Sequence, residues 1–277
     1  MQLVLKLRRD FEKWLKEDVP YYDVTVTSIK DLIRDGVLFG IYSKEPVYLC
    51  ELVGIVEEAL RDFGIEAKFE RGWSEGWIGE IRGDTSTILT MERTLLNFLI
   101  HVLSISTEVR KVRELLNRSG FENVRLATTR KTVPGMRTWA KLFASCAGAD
   151  THRLGLSDML MIKDTHLAAV GDFEKALIEA SKRKSFSHKL EVEVRNEEQA
   201  LIASKYADVV MLDNFPPERA KEVACKLKAM SNVIIEVSGG VNKDNVLQYL
   251  NECIDVVSMG YLTINPPRVD LSMRVKE

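Results

Sequence analysis

Apolar runs of β-strand length recur through the second half of this chain, with amphipathic segments of helix length between them. Polar residues close most of these runs. VRLA leads into Thr129-Arg130-Lys131-Thr132, MLMI into Lys163-Asp164, and VVML into Asp213-Asn214. VIIEV leads into Ser238-Gly239-Gly240 and DVVS into Met259-Gly260, while KLEVEV alternates Glu191 and Glu193 with apolar neighbours. Strands that alternate with helices wind into a parallel sheet or barrel, so the expected fold class is α/β. In such barrels the C-terminal strand ends carry the active site, and polar residues recurring there read as chemistry.

The pattern places six strands at 124–128, 159–163, 189–194, 208–213, 233–238 and 255–259. Helices fall at 136–147, 172–183, 197–205, 217–230 and 242–251. Six strands are too few to close an eight-stranded barrel, so either the barrel is open or some strands escape the pattern. A long helix over 91–118 precedes this half. Further upstream, Leu3, Leu7 and Phe11 with Trp14 or Leu15 predict an amphipathic helix. VLFGIYS, VYLC, AKFE and TILT then read as short strands between turns at Gly36, Gly72, Gly76 and Gly83. LVGIVEEALRDFG reads as a helix ending at Gly64. The tail after Pro266-Pro267 returns to alternation as a strand packing back on the first domain. The expected domains are 1–95 with 263–277, and 96–262.

A net charge of −2 over 277 residues gives no field for nucleic acid or an anionic membrane. Any anion site must come from a local cluster of Arg and Lys. Cys50, Cys146, Cys225 and Cys253 are widely spaced, which predicts reduced thiols in a cytoplasmic protein, with neither a disulfide frame nor a zinc site. No metal-binding spacing links the four histidines. The N-terminal residues carry charges throughout and do not read as a signal peptide. No stretch is expected to reach the roughly 18 apolar residues of a membrane span.

The strand ends gather Arg130, Lys131, Arg137, His152, Arg153 and Lys163. Any one of these alone reads as a solvated surface group. Lys163 differs because its charge ends an apolar strand, and an unpaired buried ammonium costs several kcal/mol. It therefore faces an opening with anions or Asp164, or acts as a Schiff-base lysine. Glu191 and Glu193 share one strand face, either as a structural ion pair or as lumen groups near the cations. Asp213-Asn214 reads as a capping turn or as a further carboxylate; carboxylates opposite cations suit Mg²⁺ or sugar hydroxyls. Ser238-Gly239-Gly240 and Met259-Gly260 let the backbone approach a phosphate. Trp73, Trp77, Trp139, Met159 and Met161 read as packing, and His101, His166 and His188 as structural or surface groups.

In the order ERTLLNFL, TRKTVPGMR, THRLGLSDMLMIKDTH, EVEV, MLDNF, VSGGV and DVVSMGYLT, these pieces resemble the quinolinate phosphoribosyltransferase family. Its members are the carboxylating nicotinate-nucleotide pyrophosphorylases of NAD biosynthesis. The resemblance is dense from Glu92 onward and looser at KEDVPYYDVTVTSI. Thr128-Thr129 stands where the family often has Asp or Gly, and Ile264 where some bacterial members carry His.

The resemblance implies an α/β sandwich domain joined to an open α/β barrel. It also implies a homodimer, or a higher homo-oligomer, with the active site at the subunit interface. By position, Arg93, Thr129, Arg130, His152, Arg153 and Lys163 would surround the pyridine dicarboxylate, with Lys131 shared with phosphoribosyl pyrophosphate. Glu193 and Asp213 would hold ribose hydroxyls and Mg²⁺; Ser238, Gly239, Gly240, Met259 and Gly260 would cradle phosphate. Lys131, Lys163, Glu193 and Asp213 would carry the chemistry. The competing readings are a paralogue linked to molybdate transport, a Schiff-base barrel lyase using Lys163, and a non-catalytic nucleotide-binding protein.

Overall fold

A computed structural model describes residues 1–276, and the chain divides into two compact units. One comprises Met1–Arg110 with Pro266–Glu277, the other Lys111–Asn265.

The first unit opens with α1 (Gln2–Asp18), which buries Leu7 and Phe11 one turn apart. The Phe11 ring meets Phe98 edge-on at 5.4 Å between centroids, an arrangement aromatic quadrupoles favour. α2 (Val24–Ile29) lies in a stretch expected to be strands and turns. Asp23 caps it by accepting the Val26 N–H at 2.9 Å. β1 (Phe39–Leu49) merges VLFGIYS and VYLC into one strand, with a register shift between Ser43 and Val47. α3 (Val53–Arg61) follows, then β2 (Ile65–Phe69) and β3 (Gly72–Gly83). Gly72 and Gly76, expected at turns, lie within β3. Gly79 in the same strand admits the Phe69 ring, which would lie 2.5 Å from an added Cβ.

α4 (Thr85–Arg118) begins earlier than expected and absorbs TILT, which is helix and not strand. It contains an 18-residue window of mean hydropathy 1.4, apolar enough for a membrane span, contrary to expectation. That window is 61% buried inside the protein, as in the core helix of a globular fold.

The second unit alternates β4 (Arg125–Thr128), α5 (Arg137–Cys146), β5 (Leu160–Ile162), α6 (Asp164–Val170), α7 (Phe173–Arg183) and β6 (Leu190–Val194). It continues through α8 (Glu197–Ala203), β7 (Val209–Asp213), α9 (Pro217–Met230), β8 (Ile234–Ser238), α10 (Val246–Tyr249), β9 (Val256–Met259) and α11 (Tyr261–Ile264). All six expected strands form and pair in parallel in the order β4-β9-β8-β7-β6-β5. β4 and β5 are edges that do not pair with each other, so the barrel is open. The last strand, β10 (Leu271–Val275), returns to the first unit and pairs antiparallel with β1, giving the sheet order β10-β1-β3-β2.

Alternation along the parallel strands sorts their side chains. Val192, Val194, Val210, Leu212, Ile235 and Val237 share one face and are fully buried, as are Leu177, Ala200 and Leu227 of the covering helices. Each such Val, Leu or Ile contributes about 1.5–3 kcal/mol on burial. The opposite face turns Glu191, Glu193, Met211 and Glu236 into the barrel.

Cys225 of α9 and Cys253, 28 residues on, form a disulfide, which overturns the expectation that all the thiols are reduced. The fold brings together two cysteines that no short spacing connects. Cys50 and Cys146 take no part in this bridge.

Candidate active site

The C-terminal strand ends surround a cleft of about 450 Å³. Thr129, Arg130 and Lys131 line it after β4, and Lys163 after β5. His152 and Arg153 enter from the α5–β5 loop. Glu193 and Asp213 face it from β6 and β7, and Ser238, Gly239 and Gly240 border it after β8. Three expected residues lie elsewhere. Arg93 is exposed on α4 in the first unit, where it borders a separate hollow with Asp23 and Thr90. Met259 is fully buried, because alternation along β9 gives the cleft face to Ser258. Gly260 sits behind the Lys131 side chain, where an added Cβ would lie 2.9 Å from Lys131 Cδ. Ile264 is exposed on α11 and does not line the cleft.

The cations in the cleft are incompletely neutralised by the protein. Lys163 Nζ pairs with Glu193 Oε2 at 2.5 Å. Arg130 Nε is buried with no hydrogen-bond partner. Arg153 is 7% exposed, and its Nη2 donates to Met161 Sδ, a weak acceptor, at 3.2 Å. Burial pulls the Arg153 guanidinium pKa down, and the neighbouring Arg130 charge adds to that pull. Buried donors lacking good acceptors favour an anionic guest.

Beneath the cleft, sequence reasoning missed two buried groups. Lys141 of α5 is fully buried and donates to Thr128 Oγ1 at 3.3 Å and to the Thr151 carbonyl, just before His152. Burial, then the Arg137 charge, lowers its pKa to about 8. Glu236 of β8 is the other; the charged residue inside VIIEV gives the same signal as the glutamates of KLEVEV. His152 Nε2 lies 3.2 Å from Glu236 Oε2 and 3.2 Å from Glu191 Oε2. The Glu236 contact has hydrogen-bond geometry, while both Glu191 oxygens are buried without a partner. Burial, then the Glu236 charge, pushes the Glu191 carboxyl pKa up. For His152, burial opposes a second proton and the two carboxylates favour it, with a net upward pull. The Arg153 N–H points at His152 Nδ1 from 2.8 Å, where that second proton would have to sit.

A larger cavity of about 1320 Å³ opens at the other ends of the strands, among Arg125, Asp150, Lys189 and Asp255. His152, Arg153 and Glu236 border both spaces and form the floor between them. The smaller cleft holds the incompletely neutralised cations and the strand-end glycines, so it is the candidate chemical site.

Gly239 and Gly240 adopt φ of +90° and +65°. Gly239 also has no room for a Cβ, which would lie 2.5 Å from Asn214 Oδ1. Glu193 and Asp213, on adjacent strands, supply the hard oxygen donors that Mg²⁺ takes. Mg²⁺ commonly uses one or two carboxylates and completes its shell with water and substrate phosphate, so this pair fits it.

The sequence profile of the family described as "Quinolinate phosphoribosyl transferase, C-terminal domain" matches residues 105–274. The chain belongs to this family. A relative from Methanocaldococcus jannaschii, named "Probable nicotinate-nucleotide pyrophosphorylase [carboxylating]", is 40% identical over 95% of each chain. The family likeness extends to the fold. The chain superposes on the "nicotinate-nucleotide pyrophosphorylase from Francisella tularensis" with a TM-score of 0.84 and 30% identity, covering 99% of this chain and 96% of that one. NadC from Streptococcus pyogenes superposes with a TM-score of 0.85 and 28% identity, covering 98% and 96%.

Proposed function

We propose that this protein transfers the phosphoribosyl group of phosphoribosyl pyrophosphate to the ring nitrogen of quinolinate and releases the 2-carboxylate as CO₂. The products are nicotinate mononucleotide, pyrophosphate and CO₂. The observation that carries the reading is Arg130 Nε, buried and unpartnered among Lys131, Arg153 and Lys163. A dianionic pyridine dicarboxylate and a highly charged phosphoribosyl donor repel each other, and such a wall offsets that repulsion.

In this reading Arg130, Arg153 and Lys163, with Thr129, hold the two carboxylates, and Lys131 stands between acceptor and donor. Ser238 with the glycine pair cradles the 5′-phosphate, and Gly260 keeps Lys131 in place. Glu193 and Asp213 take ribose hydroxyls and the Mg²⁺, which when bound would offset charge gathering on pyrophosphate. As the C1′–O bond to pyrophosphate breaks, C1′ gains positive character that the Glu193 carboxylate favours, and the ring nitrogen bonds to C1′. The C2–carboxylate bond then breaks, the alkylated nitrogen stabilises the electron pair left on C2, and C2 takes a proton. Holding the ring nitrogen in line with C1′ is the protein's positioning contribution to the rate. Lys163 is engaged in an ion pair with Glu193 and is not offered as a free amine, which disfavours a Schiff-base lyase.

The reading includes a homodimer in which the partner's Arg93 completes the cleft. Exposed Tyr21 and Tyr22, 92% and 65% accessible, support an interface near Arg93, since aromatics are enriched at subunit contacts. It also includes a cytoplasmic location, which the disulfide opposes. The test supplies quinolinate labelled in the 2-carboxylate, phosphoribosyl pyrophosphate and Mg²⁺. Labelled CO₂ and nicotinate mononucleotide should appear together and stop when EDTA is added. Absence of both with Mg²⁺ present removes the reading.

A further inference from the structure

Lys141 lies on the inward face of α5 with Trp139, Ala140, Phe143 and Ala144, and like them it is buried. Its acceptors are two neutral oxygens, Thr128 Oγ1 and the Thr151 carbonyl. An ammonium held there disfavours the folded state, because water solvates the charge better than these oxygens do. The main chain does not require it. The Thr128 hydroxyl already donates to the Thr151 carbonyl at 3.0 Å, so that acceptor would stay satisfied beside an apolar side chain at 141. A buried charge that the fold could do without is expected to serve the site above it.

The two acceptors belong to the two segments that carry cations into the cleft. Thr128 ends β4 and leads into Thr129, Arg130 and Lys131, while Thr151 leads into His152 and Arg153. Backbone pairing joins these segments only by a short parallel bridge between Ala127 and Asp150. We propose that Lys141 is a positioning residue: from beneath the cleft its ammonium locks the end of β4 to the His152-Arg153 loop. It thereby sets the spacing of the Arg130 and Arg153 guanidiniums that take the pyridine dicarboxylate. This rests on the reading that the cleft takes quinolinate. Lys141 itself does not line the cleft. Its surroundings also tune its charge. Arg137 on the same helix, with Arg130 and Arg153 from the cleft, repels the ammonium, and Asp150 attracts it. Burial, then the Arg137 charge, brings its pKa down to about 8. A neutral amine still donates, but a charged donor is roughly twice as strong, so the lock weakens as pH rises through that value.

Three readouts test it. In Lys141→Met the dissociation constant of quinolinate alone, from calorimetry at pH 7, should rise about tenfold, the scale of one charge-assisted hydrogen bond. The KM of phosphoribosyl pyrophosphate should stay within about twofold. The same variant should keep or raise the wild-type urea midpoint at pH 7, since an apolar side chain replaces a buried charge. A lowered midpoint with both substrates weakened alike would mark a residue that serves only the fold, and overturns the proposal. In wild type, quinolinate affinity should fall severalfold between pH 7 and 9.5, by a step missing from Lys141→Met. A wild-type affinity that is flat across this range overturns the proposal without any variant, even if Lys141→Met does not fold. Quinolinate binding without product would count against the proposed reaction alone. Product formation with an unchanged quinolinate affinity in Lys141→Met would remove the lock alone.

Discussion

At the scale of single residues, charge placement governs this site. Lys163 ends β5 with its ammonium on Glu193, and in the proposed reaction it also meets a substrate carboxylate. Lys163→Ala should lower kcat by about 10²–10³-fold, the size of one lost charge-stabilising donor, with an unchanged far-ultraviolet circular dichroism spectrum. Near-normal turnover would remove Lys163 from the chemistry. Lys141 makes a different prediction because its pKa falls from 10.5 to about 8 on folding. Between those values the unfolded chain holds the proton and the folded chain does not, so stability rises with pH across that window and is lowest below it. Unfolding free energies from urea titrations at pH 8 and 10.5 should differ by roughly 1–3 kcal/mol more in wild type than in Lys141→Met. Most cleft residues were legible because each is a polar group ending an apolar run. Lys141 was not, since a lysine on an amphipathic helix gives no sign that it is buried. Met259 turns its side chain into the core, as alternation along β9 requires, so its side chain takes no part in lining the cleft.

At the scale of elements, the parallel strands were readable because each is a short apolar run bounded by charge. α6 was missed because its seven residues follow Lys163 without a loop, leaving no turn signal to separate it from β5. β3 escaped because Gly72 and Gly76, which read as turns from sequence, hold φ of +81° and +76° within the strand, Gly76 beside the register shift opposite Ser43. The disulfide was illegible for a topological reason, as Cys225 on α9 meets Cys253 only after the chain has passed through β8 and α10. Closing a loop of 28 residues' separation should stabilise the fold by about 3–4 kcal/mol through the unfolded chain. Cys225→Ser with Cys253→Ser should therefore lower the melting temperature measured without reductant. Adding dithiothreitol should lower the wild-type value toward that of the double variant and leave the double variant unmoved. Equal melting temperatures without reductant would show that the bridge contributes nothing.

At the scale of the whole molecule, the decisive question is which chain supplies Arg93. It is exposed and borders a hollow of its own in the first unit, while the cleft it is expected to serve lies in the second. If a partner subunit supplies it, Arg93→Ala and Lys163→Ala damage different components of a shared site, and each homodimer is nearly inactive. Mixing them in equal amounts under conditions that let subunits exchange makes about half the dimers heterodimeric. In each heterodimer the Arg93→Ala subunit contributes an intact barrel and the Lys163→Ala subunit contributes an intact Arg93. One of its two sites is then complete, so the mixture should recover about a quarter of wild-type activity. The recovery should follow the rate of subunit exchange and vanish if the subunits are crosslinked before mixing. If each chain serves its own cleft, both sites of the heterodimer stay damaged, and the mixture remains as inactive as its components.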